Sequence, residues 1–401
     1  MDPYWQEWLH AVLRWIHVIA GIMWIGDSLL FMWIDSHLAP DPQGRRDVTG
    51  VTWLLHGGGY YQLEKRLLVP GRLPPRLRWF WLEATTTWLS GALLLVVVYY
   101  ASAEALMVEP GVSLLRPQQA VAAGVGLLVV GWVVYDGLWR SALGRRPLAG
   151  AVLSWALLAL AAYAAVRLFS ARAAFLHVGA LLGTLMAANV WVHILPPQWK
   201  MLQAARRGEP VDHALGAHAK ARSTHNTYMT FPAIFLMLSN HFPGLYAGPH
   251  NWLVLALLVA LGAAARHVML TAGRERAATA AVATAAALAL LWLTLPARAP
   301  RAGDRPAAAP PAGAAPAFAE VRAVIARRCA VCHSETPTDP EFLAPAGGLR
   351  LETPRQIRTM ATRIRVRAVQ QRTMPPGNRT GMTEEERALL QRWIDAGAPL
   401  R

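Results

Sequence analysis

Eight runs of mostly apolar residues, at about 8–35, 79–100, 120–139, 148–168, 172–195, 227–245, 251–270 and 278–296, constrain this chain more than any other feature. Each approaches the roughly 20 residues that an α-helix needs to cross the hydrocarbon core of a bilayer. With 54% hydrophobic residues, 16% charged and 17 Trp in 401 residues, the chain is too apolar for an ordinary soluble protein of its length. Pro232 and Asn240 make the sixth run the weakest. The first is not expected to be a cleaved signal peptide, because it lacks a basic start and carries His17, Asp27 and Asp35.

Basic residues set the orientation. The first–second connection holds Arg45, Arg46, Lys65, Arg66, Arg72, Arg76 and Arg78; the third–fourth holds Arg140, Arg145 and Arg146. The fifth–sixth holds Lys200, Arg206, Arg207, Lys220 and Arg222, and the seventh–eighth holds Arg274 and Arg276. The alternate connections offer Arg116, then Arg167 and Arg172, then none in 241–250. The positive-inside rule makes the rich set cytoplasmic, which puts both termini in the periplasm. Much of the net charge of +15 then reflects topology, and no nucleic-acid partner is expected.

Composition shifts after the last run. A transmembrane domain over 1–296 gives way to a Pro/Ala-rich linker over 297–317 and a small soluble domain over 318–401. The only two cysteines, Cys329 and Cys332, sit in Cys-Ala-Val-Cys-His. Two thiols three apart can each bond a haem vinyl group while the adjacent His333 reaches the iron. A zinc site would need two further ligands, and a disulfide pair would need neither His333 nor the flanking pattern. The sixth ligand is expected to be Met374, in Thr-Met-Pro-Pro-Gly-Asn, where two prolines stiffen the backbone. Met360 and Met382 are read as packing or surface residues. Thr383–Glu386 reads as a capping box that starts a last helix bearing Leu389, Leu390, Trp393 and Ile394. The domain's 14 Arg against 9 Asp plus Glu, with no Lys, make a basic surface suited to an acidic redox partner.

Ionisable groups within spans are functional suspects, and 13 histidines are many. His10 and His17 share a face of the first run, and His177 precedes Gly179-xxx-Gly183 in the fifth. Two readings stand for these residues. One is a hydrogen bond to a neighbouring helix; the other is ligation of a non-covalent haem b by His17 and His177, with His241 next. On the cytoplasmic side, His56-Gly-Gly-Gly-Tyr-Tyr-Gln-Leu-Glu64 reads as a flexible loop with ionisable side chains, and it is no Walker pattern. Ser223-Thr-His225-Asn226-Thr227 clusters donors and acceptors beyond the one a helix cap needs. A pocket for a planar, hydrogen-bonding substrate would use several of them.

Together, LHAVLRWIHVIAGIMWIGDSLLFMWIDSHL, HGGGYYQLEK, STHNTYMTFPAIFLMLSNHFP and CAVCH…TMPPGN…ERALLQRWIDAGAP resemble the PuuD-type urate hydroxylases, membrane urate oxidases fused to a c-type cytochrome. The resemblance spans almost the whole chain. It implies oxidation of urate to 5-hydroxyisourate, with water supplying the hydroxyl and electrons passing through the cytochrome to the respiratory chain. The expected fold is all-α, an eight-helix transmembrane bundle followed by a class I-like cytochrome c domain. Expected cofactors are covalent haem c and, as the relay that a cytoplasmic substrate site would require, haem b. Expected partners are urate, the lipid bilayer, and a soluble cytochrome c or terminal oxidase. The expected location is a bacterial inner membrane with the cytochrome domain in the periplasm. Urate chemistry needs a base, for which His225 and His56 are the candidates. Asn226 and Thr227 would bind the purine rim, and Glu64 is either an orienting carboxylate or a solvated one. A quinol oxidase, or a transport module with a cytochrome sensor, are the alternatives.

Overall fold

The computed structural model describes residues 3–108, 113, 115–246, 248, 250–295, 316–339, 345–346, 349–370 and 372–400. Residues 297–315 of the expected linker lie outside them. Helix dominates. The N-terminal part contains α1 (Pro3–Ser36), a hairpin of β1 (Val48–His56) and β2 (Gly59–Arg66), α2 (Leu82–Leu94) and the short α3 (Ala103–Leu106). It continues through α4 (Pro117–Arg140), α5 (Pro147–Leu168), α6 (Ala171–Ala188), α7 (Leu195–Arg206) and α8 (His213–Leu238). The short α9 (Pro243–Tyr246) then precedes α10 (Asn251–Leu270) and α11 (Gly273–Leu293).

Seven helices among the described residues are long and apolar enough to cross a membrane. The predicted run at 227–245 is not one of them. It runs from the second half of α8 through a 3₁₀ turn, Ser239–His241, into α9, and α8 begins at His213 and carries Lys220, Arg222 and His225, which lower its mean hydropathy. Pro232 sits within this helix, directly over Gly262 of α10, where an added Cβ would stand 2.8 Å from the proline nitrogen. Close approach at small residues is how helices gain dispersion contact when lipid leaves them little hydrophobic drive.

The expectation of an all-α bundle needs correction at one place. His56-Gly-Gly-Gly is not a loop but the tip of the antiparallel β1–β2 hairpin, with His56 opposite Gly59. Gly57 and Gly58 both hold positive φ, 63° and 80°, as a two-residue hairpin turn of matching twist demands. Ion pairs anchor this hairpin. Arg45 joins Asp41 at 2.9 Å and Glu64 at 2.6 Å, while Asp35 at the end of α1 takes Lys65 at 2.5 Å and Lys220 of α8 at 3.2 Å.

A continuous rod from Ala171 to Arg206 forms the centre of the bundle and is the most buried of these seven long apolar helices. It comprises α6, a π-helical stretch over Asn189–Ile194, and α7. α6 packs on α4, α5 and α8, while α8 packs in turn on α10. Phe169, Phe175, Leu182, Leu236 and Leu255 fill the centre, each 2% exposed or less. Gly179 lets α6 close on Leu236 of α8, whereas Gly183 faces open space. The peripheral α1 lies along α2.

The C-terminal part is a separate small core. It consists of α12 (Phe318–Arg328), α13 (Pro354–Thr359), α14 (Ala361–Ile364) and α15 (Glu384–Asp395). Val321, Ile325, Leu390 and Trp393 are fully buried within it. The capping box forms as the sequence predicts: Glu386 N–H donates to Thr383 Oγ1 at 3.2 Å, and Thr383 N–H donates to Glu386 Oε2 at 2.9 Å. Trp393 closes the helix end by donating to Pro399 O at 2.8 Å.

Candidate functional site

Three helices converge at the end of the bundle that carries the basic connections. The last turns of α4 bring Tyr135 and Asp136, the π-helical stretch after α6 brings Asn189 and His193, and α8 brings His218, Arg222, His225 and Asn226. A π-helical stretch widens the helix by one residue and recurs at functional sites. Here it aims two polar side chains, four residues apart, at the other two helices.

The resulting network has a definite direction. Asn189 is fully buried and spends both amide hydrogens, on Tyr135 Oη at 2.9 Å and on Asn226 Oδ1 at 2.9 Å. Asn226 donates onward to the backbone carbonyl of Met186 at 2.9 Å. Tyr135 Oη lies 2.8 Å from His225 Nδ1, and the His225 ring packs on Trp139 with centroids 4.0 Å apart. In the tautomer that leaves Nε2 basic, Nδ1–H donates to Tyr135 Oη. That oxygen then accepts two hydrogen bonds and has its own proton left to give. Arg222, only 2% exposed, lies over the Tyr135 ring and donates to Asp136 Oδ1 at 3.4 Å. Asp136 also holds His193 Nε2 at 2.5 Å and Arg140 at 2.8 Å.

Two buried atoms of this cluster, Asn189 Oδ1 and Arg222 Nη1, have no hydrogen-bond partner among the described residues. Leaving such a group unsatisfied costs about 1–3 kcal/mol, and more for a charged one. A ligand that accepts from a guanidinium and donates to an amide oxygen would recover that cost. Planar heterocyclic amides have both functions on one rim.

The residues expected from the sequence divide accordingly. His225 and Asn226 stand inside the cluster, and Thr227 is buried beside them but donates to the backbone carbonyl of Thr224 at 2.8 Å. His56 lies at the exposed hairpin tip and has no contact with His225 among the described residues. Hydrogen bonds from Arg45 and then Arg66 hold the Glu64 carboxyl below its ordinary range, so this group serves the hairpin and orients no histidine. Tyr135, Asp136, Asn189, His193 and Arg222 were not expected. Their signal in the sequence is an acid, Asp136, within an apolar run, together with Asn189/His193 and His218/Arg222 at helical spacing.

The membrane-domain histidines proposed for haem b do not meet. His17 Nδ1 lies 2.9 Å from Thr87 O on α2, a posture that leaves Nε2 for a ligand. A groove of about 350 Å³ lies nearby, lined by Trp15, Ile19, Met23 and Glu83. His177 instead packs into α4. Its Nδ1 lies 2.8 Å from Ala173 O, and its unpartnered Nε2 stands 2.8 Å from where a Cβ on Gly124 would be. Phe169, Tyr99 and Tyr100 surround the ring at 5.0, 6.2 and 5.7 Å between centroids. That packing leaves no room for a macrocycle over Nε2, so His177 does not fit as a haem ligand. His241 is itself exposed, at the end of the 3₁₀ turn Ser239–His241.

The C-terminal residues expected to hold haem c are arranged differently. Cys329, Cys332 and His333 form one turn after α12, with Cys332 N–H and His333 N–H both donating to Cys329 O, at 3.2 and 2.9 Å. Neither cysteine is in a disulfide among the described residues, and Cys332 Sγ donates to Asp339 Oδ2 at 3.4 Å. His333 Nδ1 lies 3.3 Å from Leu349 O, which fixes the ring and leaves Nε2 for iron. Burial holds this imidazole below its ordinary range, outweighing the pull of that carbonyl, and the neutral form is the one that ligates. Met374 is half-buried on the small core, pinned by its N–H to Arg367 O at 3.1 Å and by Arg387 donating to its carbonyl at 3.1 Å. Met382 is buried as core, and Met360 packs partly against it. The turn after Met374, Pro376–Asn378, rests on α3. This contact lies at the end of α4 remote from Tyr135; the 15 residues from Ala120 to Tyr135 rise about 22 Å.

The urate oxidase N-terminal family matches residues 3–296. No curated protein and no solved structure matches the chain.

Proposed function

The chain belongs to the urate oxidase N-terminal family, and from that premise we propose that it is a membrane urate hydroxylase of the PuuD type, with urate bound between α4, the π-helical stretch and α8. The observation that carries this reading is the pair of buried, unpartnered atoms, Arg222 Nη1 and Asn189 Oδ1, beside a hydrogen-bonded base. Arg222 donates to a urate carbonyl and offsets the charge of the ionised purine. Asn189 Oδ1 accepts from a ring N–H. His225 Nε2 takes a proton from the water that adds to the purine, while Tyr135 holds the ring in place and offers its own proton to the substrate. The walls of Trp132 and Trp139 keep bulk water from the purine face.

Urate and water give 5-hydroxyisourate, two protons and two electrons. Cys329 and Cys332 would attach haem c, His333 and Met374 would ligate it, and the bound group would supply a one-electron acceptor. Periplasmic attachment of this group agrees with the placement of the basic connections on the cytoplasmic face of a bacterial inner membrane, and a soluble cytochrome c or terminal oxidase would take the electrons onward. Eight spans, α8 among them, complete that topology.

Urate binding tests the assignment of the pocket. A hydrogen bond from a charged donor contributes about 1.5–3 kcal/mol, so Arg222→Gln weakens urate binding by about 10- to 100-fold. Calorimetric titration of the detergent-solubilised protein measures this, with circular dichroism to confirm the fold. An unchanged Kd in a folded variant removes Arg222 from the site.

A further inference from the structure

Two protons leave for each urate oxidised, and the cluster contains more acid–base groups than the purine needs. We propose that Asp136, His193 and His218 form the proton outlet of this site, an inference that rests on the functional reading above. Asp136 stands at the edge of the pocket, touched by Arg222 Nη2 at 3.4 Å. Behind it, His193 is only 6% exposed and uses both ring nitrogens, Nε2 on Asp136 Oδ1 at 2.5 Å and Nδ1 facing His218 Nε2 at 3.4 Å. His218 is exposed, near the start of α8 and beside the basic connections. A half-buried acid, a buried imidazole and an exposed imidazole thus run in series from pocket to solvent.

The transfer balances without another reagent. A proton released in the pocket binds the Asp136 carboxylate. The Oδ1–H bond breaks as His193 Nε2–H forms, Nδ1–H breaks as His218 Nε2–H forms, and His218 Nδ1 releases its proton to water. His193 is suited to this and not to direct attack on the substrate, because neither nitrogen is left to face the pocket. The charged groups around it come from both packed helices. Asp136 and Arg140 are on α4, and His218 and Arg222 are on α8. Arg140 and Arg222 offset the charge of Asp136.

The test is urate-driven haem reduction in the full-length protein under anaerobic stopped flow, in H₂O and D₂O. His218→Ala is expected to lower the limiting rate about 10-fold, less than the 10²–10⁴-fold that loss of a general base costs, with KM little changed. Its solvent isotope effect rises above that of wild type, and added imidazole restores most of the rate. His213→Ala, an exposed histidine on the same helix, leaves the rate unchanged. His218→Gln preserves a hydrogen-bond partner for His193 but cannot relay, so it is slow like the alanine variant. Should urate reduce the wild type while His218→Ala matches it in rate and isotope effect, the outlet is wrong and the site stands. Should urate fail to reduce the wild type, the functional reading is wrong and the outlet falls with it.

Discussion

His225→Ala slows the reduction of the attached haem by urate about 10²–10⁴-fold, the range lost when a general base is removed from a proton-transfer step. Reduction of the same haem by dithionite proceeds at the wild-type rate, since that route bypasses the pocket. The physical ground is the position of the ring. It lies against Trp139 at 4.0 Å between centroids, and Tyr135 holds its Nδ1 at 2.8 Å, so Nε2 is its one variable nitrogen. Tyr135→Phe removes that support while leaving the imidazole, and its effect on rate is smaller. His56→Ala has little effect on either reductant, because the exposed hairpin tip shares no contact with His225 among the described residues. Stopped-flow absorbance of the haem measures all three variants. Equal losses for His56→Ala and His225→Ala would place the hairpin in the site and overturn this geometry.

Replacing both Cys329 and Cys332 by Ser leaves no haem on the protein after denaturing electrophoresis, while the membrane domain still inserts. The effect is complete because a thioether needs a thiol and the chain has only these two. The small core survives in part, since Val321, Ile325, Leu390 and Trp393 are buried independently of the thiols. Peroxidase staining on the gel is the readout. Staining that persists in the double variant would place the group elsewhere. The double variant still binds urate with wild-type affinity, because the contact of the C-terminal part through Pro376–Asn378 is with α3, remote from Arg222.

The spans were legible because apolar runs of the right length are local features. The predicted 251–270 coincides with α10, and 148–168 falls within one residue of α5. The capping box at Thr383 was legible for the same reason, since its partners lie within four residues. The hairpin has a local signature as well. Val48–His56 is rich in β-branched and aromatic residues, and Gly57-Gly58 is a hairpin turn signal, but three glycines beside ionisable residues suggested a loop. The site itself was only half visible. His225 and Asn226 stood out as a polar cluster beside an apolar run. Asp136, Asn189 and Arg222 acquire meaning only when α4, α6 and α8 meet, and no spacing within one segment encodes that meeting. The π-helical stretch at Asn189–Ile194 is set by tertiary packing, so the turn that points Asn189 and His193 inward has no local signature. Conversely, His17 and His177 looked like a pair on separate spans, but His17 sits against α2 and His177 against α4.

One measurement reaches the central claim. Purified, oxidised full-length protein is mixed with urate in the absence of oxygen, and the haem c absorbance is followed while the products are analysed. The account predicts that urate reduces the haem, that oxidised soluble cytochrome c sustains turnover, that two electrons are transferred per urate, and that the new oxygen in 5-hydroxyisourate comes from labelled water. A protein whose haem dithionite reduces but urate does not, under any of these conditions, would contradict it.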